Sequence, residues 1–314
     1  MSALPDGPPG RRPSRPQGGD RRRPETAAAD SDEPEGGRRA SAGRNLPVAI
    51  GVGLALAALV LASLLIRPVA FLVLAAIAVA VACWETGGAM RKGGRNVPVI
   101  PLAAAGALIV VLAWFGGATG LLLGTAVGVA ALFVWRLAEG ATGYRADVPA
   151  ASLVLVQVPF LAGFVMLLAT SDDGEARFIG TGAAQVLIML FTVVLSDTGG
   201  YTAGVLFGRH QMTPSISPKK SWEGLAGSVA AAALGAGTAL WFFFGVPFGL
   251  GVAFGVCAAL AATLGDLSVS LLKRDLGIKD MSNLIPGHGG VMDRLDSILM
   301  VAPVAYVWFR YLLG

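Results

Sequence analysis

Residues 97–136 read VPVIPLAAAGALIVVLAWFGGATGLLLGTAVGVAALFVWR, forty positions with one charged side chain, Arg136, at the very end. A bilayer core of about 30 Å is crossed by about 20 helical residues, so this stretch divides into two spans, 97–116 and 118–136. Working outward, apolar runs of similar length recur at 46–66, 69–89, 149–170, 178–198, 224–245, 247–272 and 296–313. The chain therefore reads as an all-α, polytopic integral membrane protein with about nine transmembrane helices. Composition agrees: 54% of the 314 residues are hydrophobic and 14% charged, with a mean hydropathy of +0.68. A soluble domain carries about 25% charged residues, which excludes an ordinary soluble enzyme. A nucleic-acid binder is excluded as well, because its basic groups would cluster in a folded domain.

Residues 1–45 differ from the rest. They hold seven prolines, nine basic and seven acidic residues and no aromatic. Such a segment cannot bury enough apolar area to offset its ordering entropy, so it is expected to be a disordered cytoplasmic tail, not a signal peptide. Behind it the chain divides into N-terminal transmembrane helices (46–175, about five) and a C-terminal catalytic membrane domain (176–314). Cys83 and Cys257 both lie in apolar runs and read as small buried hydrophobes.

Orientation follows from the basic residues. With the tail inside, twelve of the fifteen basic residues beyond it fall in inward loops, and Arg67, Arg177 and Arg310 fall outside. The net charge of +4 and pI near 9.3 thus express orientation, not a polyanion-binding surface. Both polar loops, near 209–223 and 273–294, face the cytoplasm on this count.

The densest polar stretch is 265-GDLSVSLLKRDLGIKDMSNLIPGHGGVMDRLDS-297. On a helix Asp266, Ser270 and Lys273 share one face, and Asp293 and Asp296 share another, with Arg294 pointing elsewhere. The intervening Pro286-Gly287-His288-Gly289-Gly290 allows tight turns and backbone N–H groups aimed at an anion. Carboxylates converging from two helices suit a hard cation such as Mg²⁺, and flanking Lys and Arg suit phosphates. Together they suggest nucleotidyl or phosphoryl transfer. The plainer reading is a charged loop that anchors two helix ends. Upstream, Asp197 precedes Gly199-Gly200, which permit either close helix packing or a helix break. Lys219 and Lys220 offer phosphate contacts or simple inward anchoring. Trp222 reads as an interfacial aromatic and His210 as a surface group. Glu85 divides evenly between a packing partner and a site residue.

The string Ser270-x-x-Lys273-Arg274-x4-Lys279-Asp280-x5-Pro286-Gly287-His288-Gly289-Gly290-x-x-Asp293-Arg294-x-Asp296 resembles the signature of the phosphatidate cytidylyltransferase (CDP-diacylglycerol synthase) family. The segments 196-SDTGGYTAG-204 and 217-SPKKSWEG-224 are similar to two further segments of that family. The resemblance implies a multi-pass inner-membrane enzyme that transfers CMP from CTP to phosphatidic acid, giving CDP-diacylglycerol and pyrophosphate in phospholipid biosynthesis. It implies Mg²⁺, with room for a second, monovalent or divalent, cation, and a homodimer among membrane lipids. Residue by residue it implies Asp266, Asp293 and Asp296 as metal groups, with Asp266, Asp293 and Lys273 catalytic. Ser270, Arg274, Lys279, His288 and Arg294 become substrate-binding groups, joined by Asp197, Lys219 and Lys220 of the upstream segments. A CTP-dependent kinase of an isoprenoid alcohol, or a cytidylyltransferase for another lipid phosphate, is the alternative within the enzyme class. An ion-coupled transporter using Asp197 and Asp266 is disfavoured, since no internal repeat is visible and the polar groups crowd at one membrane face.

Overall fold

A computed structural model of the chain describes residues 46–171, 176–282, 284–285 and 289–313, the side chains of 46–50 and 313 excepted. The tail 1–45 and His288 lie outside the described residues. Residues 44–314 form one compact unit.

The helices are α1 (Leu46–Ile66), α2 (Pro68–Lys92), α3 (Val99–Ala138), α4 (Tyr144–Leu155), α5 (Leu161–Ala169), α6 (Thr181–Phe207), α7 (Trp222–Phe244), α8 (Phe248–Asp275) and α9 (Met292–Trp308). A short hairpin, β1 (Gln211–Thr213) and β2 (Ser217–Ser221), joins α6 to α7. Among the described residues, seven helical stretches are long and apolar enough to cross a membrane. They begin with α2 and α3, run through the joined Tyr144–Ala169, and end with Met292–Leu312, while the described part of α1, Gly51–Ile66, is shorter.

As one rod α3 would measure about 60 Å, twice a bilayer core. Instead it breaks at Gly117, whose φ of 58° and ψ of −148° only glycine adopts readily. The two arms then run back along each other. A Cβ on Gly120 would lie 2.0 Å from the Leu112 carbonyl oxygen, and one on Gly124 would lie 3.5 Å from the Cα of Ile109. The pair of spans expected at 97–116 and 118–136 is thus a helical hairpin counted once among the seven.

Tyr144 to Ala169 is a single span with a π-helical turn at Val156–Phe160. Pro159 lies in that turn, where its missing N–H and its ring displace the ordinary helical register.

Apolar burial against lipid supplies little attraction between helices, so close packing and small residues must hold the bundle. The α6–α7 pair shows this most clearly. A Cβ on Gly199 would stand 2.6 Å from the Gly227 carbonyl oxygen, and one on Gly200 would stand 2.2 Å from Ser228 Oγ. The Ser228 hydroxyl in turn donates to the Ser196 carbonyl at 2.8 Å. Gly199-Gly200 therefore serve packing, and α6 continues unbroken to Phe207. Gly251 and Gly255 bring α8 equally close to α7, and Gly265 brings α8 against the α9 backbone at Asp296. Large apolar side chains such as Ile100 and Phe115 point outward, as a lipid-facing surface requires. Cys83 is buried against Gly106, but Cys257 is exposed on the outer face of α8, because its position on the helix points away from α7 and α9.

One buried ion pair ties the end of α3 and the start of α4 to the α2–α3 loop. Arg136 at the end of α3 donates to Asp147 of α4 at 2.6 Å and to the Thr142 carbonyl at 3.2 Å, and it also pairs with Glu139. Asp147 accepts the Asn96 backbone N–H at 2.8 Å. Arg136, which the sequence offers only as an orientation charge, is thus an internal strut.

Candidate active site

The polar residues gather where α2, α6, α8 and α9 end together with the β-hairpin. Asp266 lies nine residues before the end of α8, one helical turn ahead of Ser270. The Ser270 hydroxyl donates to Asp266 Oδ1 at 3.2 Å, and Lys220 Nζ meets Oδ2 at 2.5 Å. Lys220 reaches it because residues alternate sides along a strand: on β2, Lys220 turns toward the bundle while Lys219 is exposed. Arg274 is exposed and donates from Nε to the Ile216 carbonyl at 3.2 Å, holding the tip of the hairpin. The polar loop at 209–223 is therefore a structured hairpin clamped to α8.

A second pair stands beside the first. Lys273 Nζ donates to Asp293 Oδ1 at 2.9 Å, both side chains being largely buried. Asp293 Oδ2 accepts two backbone N–H groups, from Met281 at 3.1 Å and Gly290 at 3.0 Å. Gly289, at φ +79°, passes so close that a Cβ would lie 3.1 Å from the same oxygen. Gly289 and Gly290 thus close on the Asp293 carboxylate.

Asp197 and Asp296 complete the cluster. Both lie within electrostatic reach of Asp266; Asp197 also senses Lys220 and Arg294, and Asp296 senses Lys273. Arg294, placed off the carboxylate face by helical spacing, therefore still reaches the cluster. Asp197 sits inside α6, ten residues before its end, because the helix runs through the glycines. Asp293 and Asp296 share a helix but divide their attention: Asp293 faces the loop and Lys273, Asp296 the α8 carboxylate. Lys279 is exposed.

Among the described residues, no three His, Cys, Asp or Glu side chains converge at metal-ligand spacing. Lys220 and Lys273 stand between the carboxylates instead. That donor set suits a hard cation carrying its own waters and bridged by substrate phosphates through one or two carboxylates, the usual habit of Mg²⁺. It does not make an all-protein cage. Of about four lone-pair sites on a carboxylate, Asp293 has three engaged, so it offers a cation one position at most. Asp266, held by one lysine and one hydroxyl, offers more.

Two groups were not singled out by motif. Ser282 donates to Glu85 at 2.5 Å and lines, with Trp84, Lys92, Asp280, Met281 and Leu284, a cleft of about 390 Å³. Glu85 is buried in α2, seven residues before the helix ends, against Gly290, Val291 and Met292. Its signal in the sequence is a lone carboxylate in an otherwise apolar span, a placement that demands a partner. His210 is exposed and bonds Glu223 at 2.6 Å, a local tie at the start of the hairpin.

These features define a polytopic membrane protein with a carboxylate-and-lysine site at one end of its helix bundle. The chain belongs to the Cytidylyltransferase family, whose model matches residues 47–312. A phosphatidate cytidylyltransferase of Mycobacterium leprae (strain TN) is 40% identical over 287 residues, covering 86% of this chain and 89% of that protein. One from Mycobacterium bovis is 40% identical over 279 residues, 85% of this chain and 89% of its own. A third, from Thermotoga maritima, is 32% identical over 179 residues, 53% of this chain and 61% of its own.

Proposed function

We propose that the protein is a phosphatidate cytidylyltransferase: it transfers CMP from CTP to phosphatidic acid, releasing pyrophosphate and forming CDP-diacylglycerol. The observation that carries this reading is the paired arrangement Lys220–Asp266–Ser270 and Lys273–Asp293 at the end of a membrane bundle, in a chain of this family. A phosphate oxygen of phosphatidate attacks the α-phosphorus of CTP. The new P–O bond forms as the bond to the β-phosphate breaks, and pyrophosphate departs with that electron pair. The phosphomonoester is already anionic near neutral pH, so the reaction needs no strong general base.

What it needs is charge neutralisation and alignment. Lys220, Lys273 and Arg294 would supply cationic donors to the triphosphate. Ser270 would keep Asp266 oriented. Asp266, with Asp296 and Asp197 nearby, would hold Mg²⁺, which when bound neutralises phosphate oxygens and polarises the α-phosphorus. A second, monovalent or divalent, cation could share Asp293. The acyl chains stay in the bilayer while the headgroup enters at the polar end. The distribution of basic residues supports a cytoplasmic site and N-terminus and, with bacterial relatives, an inner-membrane location; a homodimer is part of the same proposal.

The test is product analysis with purified protein in detergent. CTP turnover should require both phosphatidate and a divalent cation, and should yield CDP-lipid and pyrophosphate in equal amounts. Lipid phosphate plus CDP would instead identify a kinase and overturn the proposal.

A further inference from the structure

Glu85 lies outside the set of groups assigned to phosphate handling, yet it touches the signature segment twice, at Ser282 and again at residues 290–292. It is 2% exposed. Its Oε1 accepts the Ser282 hydroxyl at 2.5 Å and the Val291 N–H at 3.0 Å, and its Oε2 accepts the Met292 N–H at 2.9 Å. These partners lie some 200 residues away along the chain. Gly290 packs onto the same carboxylate, where a Cβ would come within 2.8 Å of Oε2.

We infer that Glu85 is a positioning residue: from α2 it anchors the first turn of α9 and so sets the orientation of Asp293 and Lys273. The geometry is a chain of contacts. Glu85 grips the N–H groups of 291 and 292. One residue on, Asp293 grips the N–H groups of Met281 and Gly290 and receives Lys273. Two carboxylates from different helices thus hold the backbone N–H groups of Met281, Gly290, Val291 and Met292, and neither can shift without moving the other.

The chemistry favours a carboxylate over any neutral substitute. Burying an ionised carboxyl is costly unless donors satisfy it. Here every contacting group is a donor, and two of them belong to the N-terminus of a helix, whose dipole favours a negative charge. Glutamine has the same shape, but its amide nitrogen would turn N–H groups against one of those donors. A residue that merely filled space would tolerate that change.

The inference rests on the proposed activity only for what the oriented site then does; the anchoring itself has an independent readout. The experiment compares the wild-type protein, Glu85→Gln and Ser282→Ala, full length in lipid nanodiscs, by hydrogen exchange and by steady-state kinetics with CTP and phosphatidate. For Glu85→Gln, exchange at the amides of 290–293 should rise about tenfold, as loss of a charge-assisted hydrogen bond implies. Exchange in α6 and α7 should stay unchanged. The kcat should fall about tenfold or more, with KM for CTP changing far less. Ser282→Ala removes one of three donors and should give a smaller change in the same direction; it keeps the test decisive if Glu85→Gln does not fold. Unchanged exchange at 290–293 overturns the inference. So does a lower unfolding temperature with the kcat of the folded protein intact. If the wild-type protein forms no CDP-lipid, the proposed activity fails, while the exchange comparison still decides the role of Glu85.

Discussion

Lys219 and Lys220 are neighbours in sequence and share the same chemistry, yet the structure gives them different places. Lys220 pairs with Asp266, while Lys219 points out of the hairpin. Lys220→Met should therefore lower the CTP-dependent rate by about a hundredfold, the scale seen when one preorganised donor is removed from a charge-stabilising site. Lys219→Met should cost far less. Equal losses in initial-rate assays would show that the hairpin presents both lysines. Asp293→Asn should remove most activity, about a hundredfold or more, since an amide oxygen that accepts both N–H groups leaves the amide NH2 facing Lys273, where the ion pair is lost. Membrane insertion and yield should be unaffected; near-normal turnover would refute the role given to Asp293. At this scale the sequence was informative where partners are close. Asp266 and Ser270 meet because helical periodicity puts i and i+4 on one face. Lys273–Asp293 and Glu85–Ser282 lie beyond any local period, since the first bridges two helices and the second joins residues 197 positions apart.

The elements were legible from hydropathy, but their ends were not. The expected spans 178–198 and 247–272 already include Asp197 and Asp266, but α6 runs on to Phe207 and α8 to Asp275. A helix continues while its backbone stays bonded and its neighbours pack, and a carboxylate facing a polar cluster interrupts neither. The glycines illustrate the same limit. Gly117 reverses the chain, while Gly199 and Gly227 press two helices together, and composition alone does not separate these uses. The close α6–α7 contact yields a stability prediction. Gly227→Leu would force its Cβ into Ala203 at 2.3 Å and into the Gly199 carbonyl at 2.6 Å. Overpacking of this kind costs about 1–3 kcal/mol, so thermal unfolding in detergent should shift clearly downward. Gly249→Leu, where a Cβ meets nothing within 4 Å, should leave the transition nearly in place. Matching shifts for the two variants would mean that the helices are not in close contact.

Across the whole molecule, the polar contacts of the site gather toward one face of the bundle. The loops between α1 and α2, within α3, and between α5 and α6 gather at the other: Leu65, Pro68, Trp114, Ser171 and Gly180 line one common cleft there. This alternation agrees with the inward bias of basic residues, which depends only on loop composition. The two group the same loops on one side, and the proposal that the site's side is cytoplasmic follows from the charge bias. A labelling experiment tests the assignment. In a Cys257→Ser background, with Cys83 buried, a single cysteine replaces either Ser215 at the tip of the hairpin or Arg67 between α1 and α2. Both positions are exposed. An impermeant maleimide should label Arg67→Cys in intact cells and leave Ser215→Cys unlabelled until inside-out vesicles are used. The reverse pattern would place the lysine-and-carboxylate site away from cytoplasmic CTP. Labelling of both positions from one side would break the alternation of the helices on which the shared site depends.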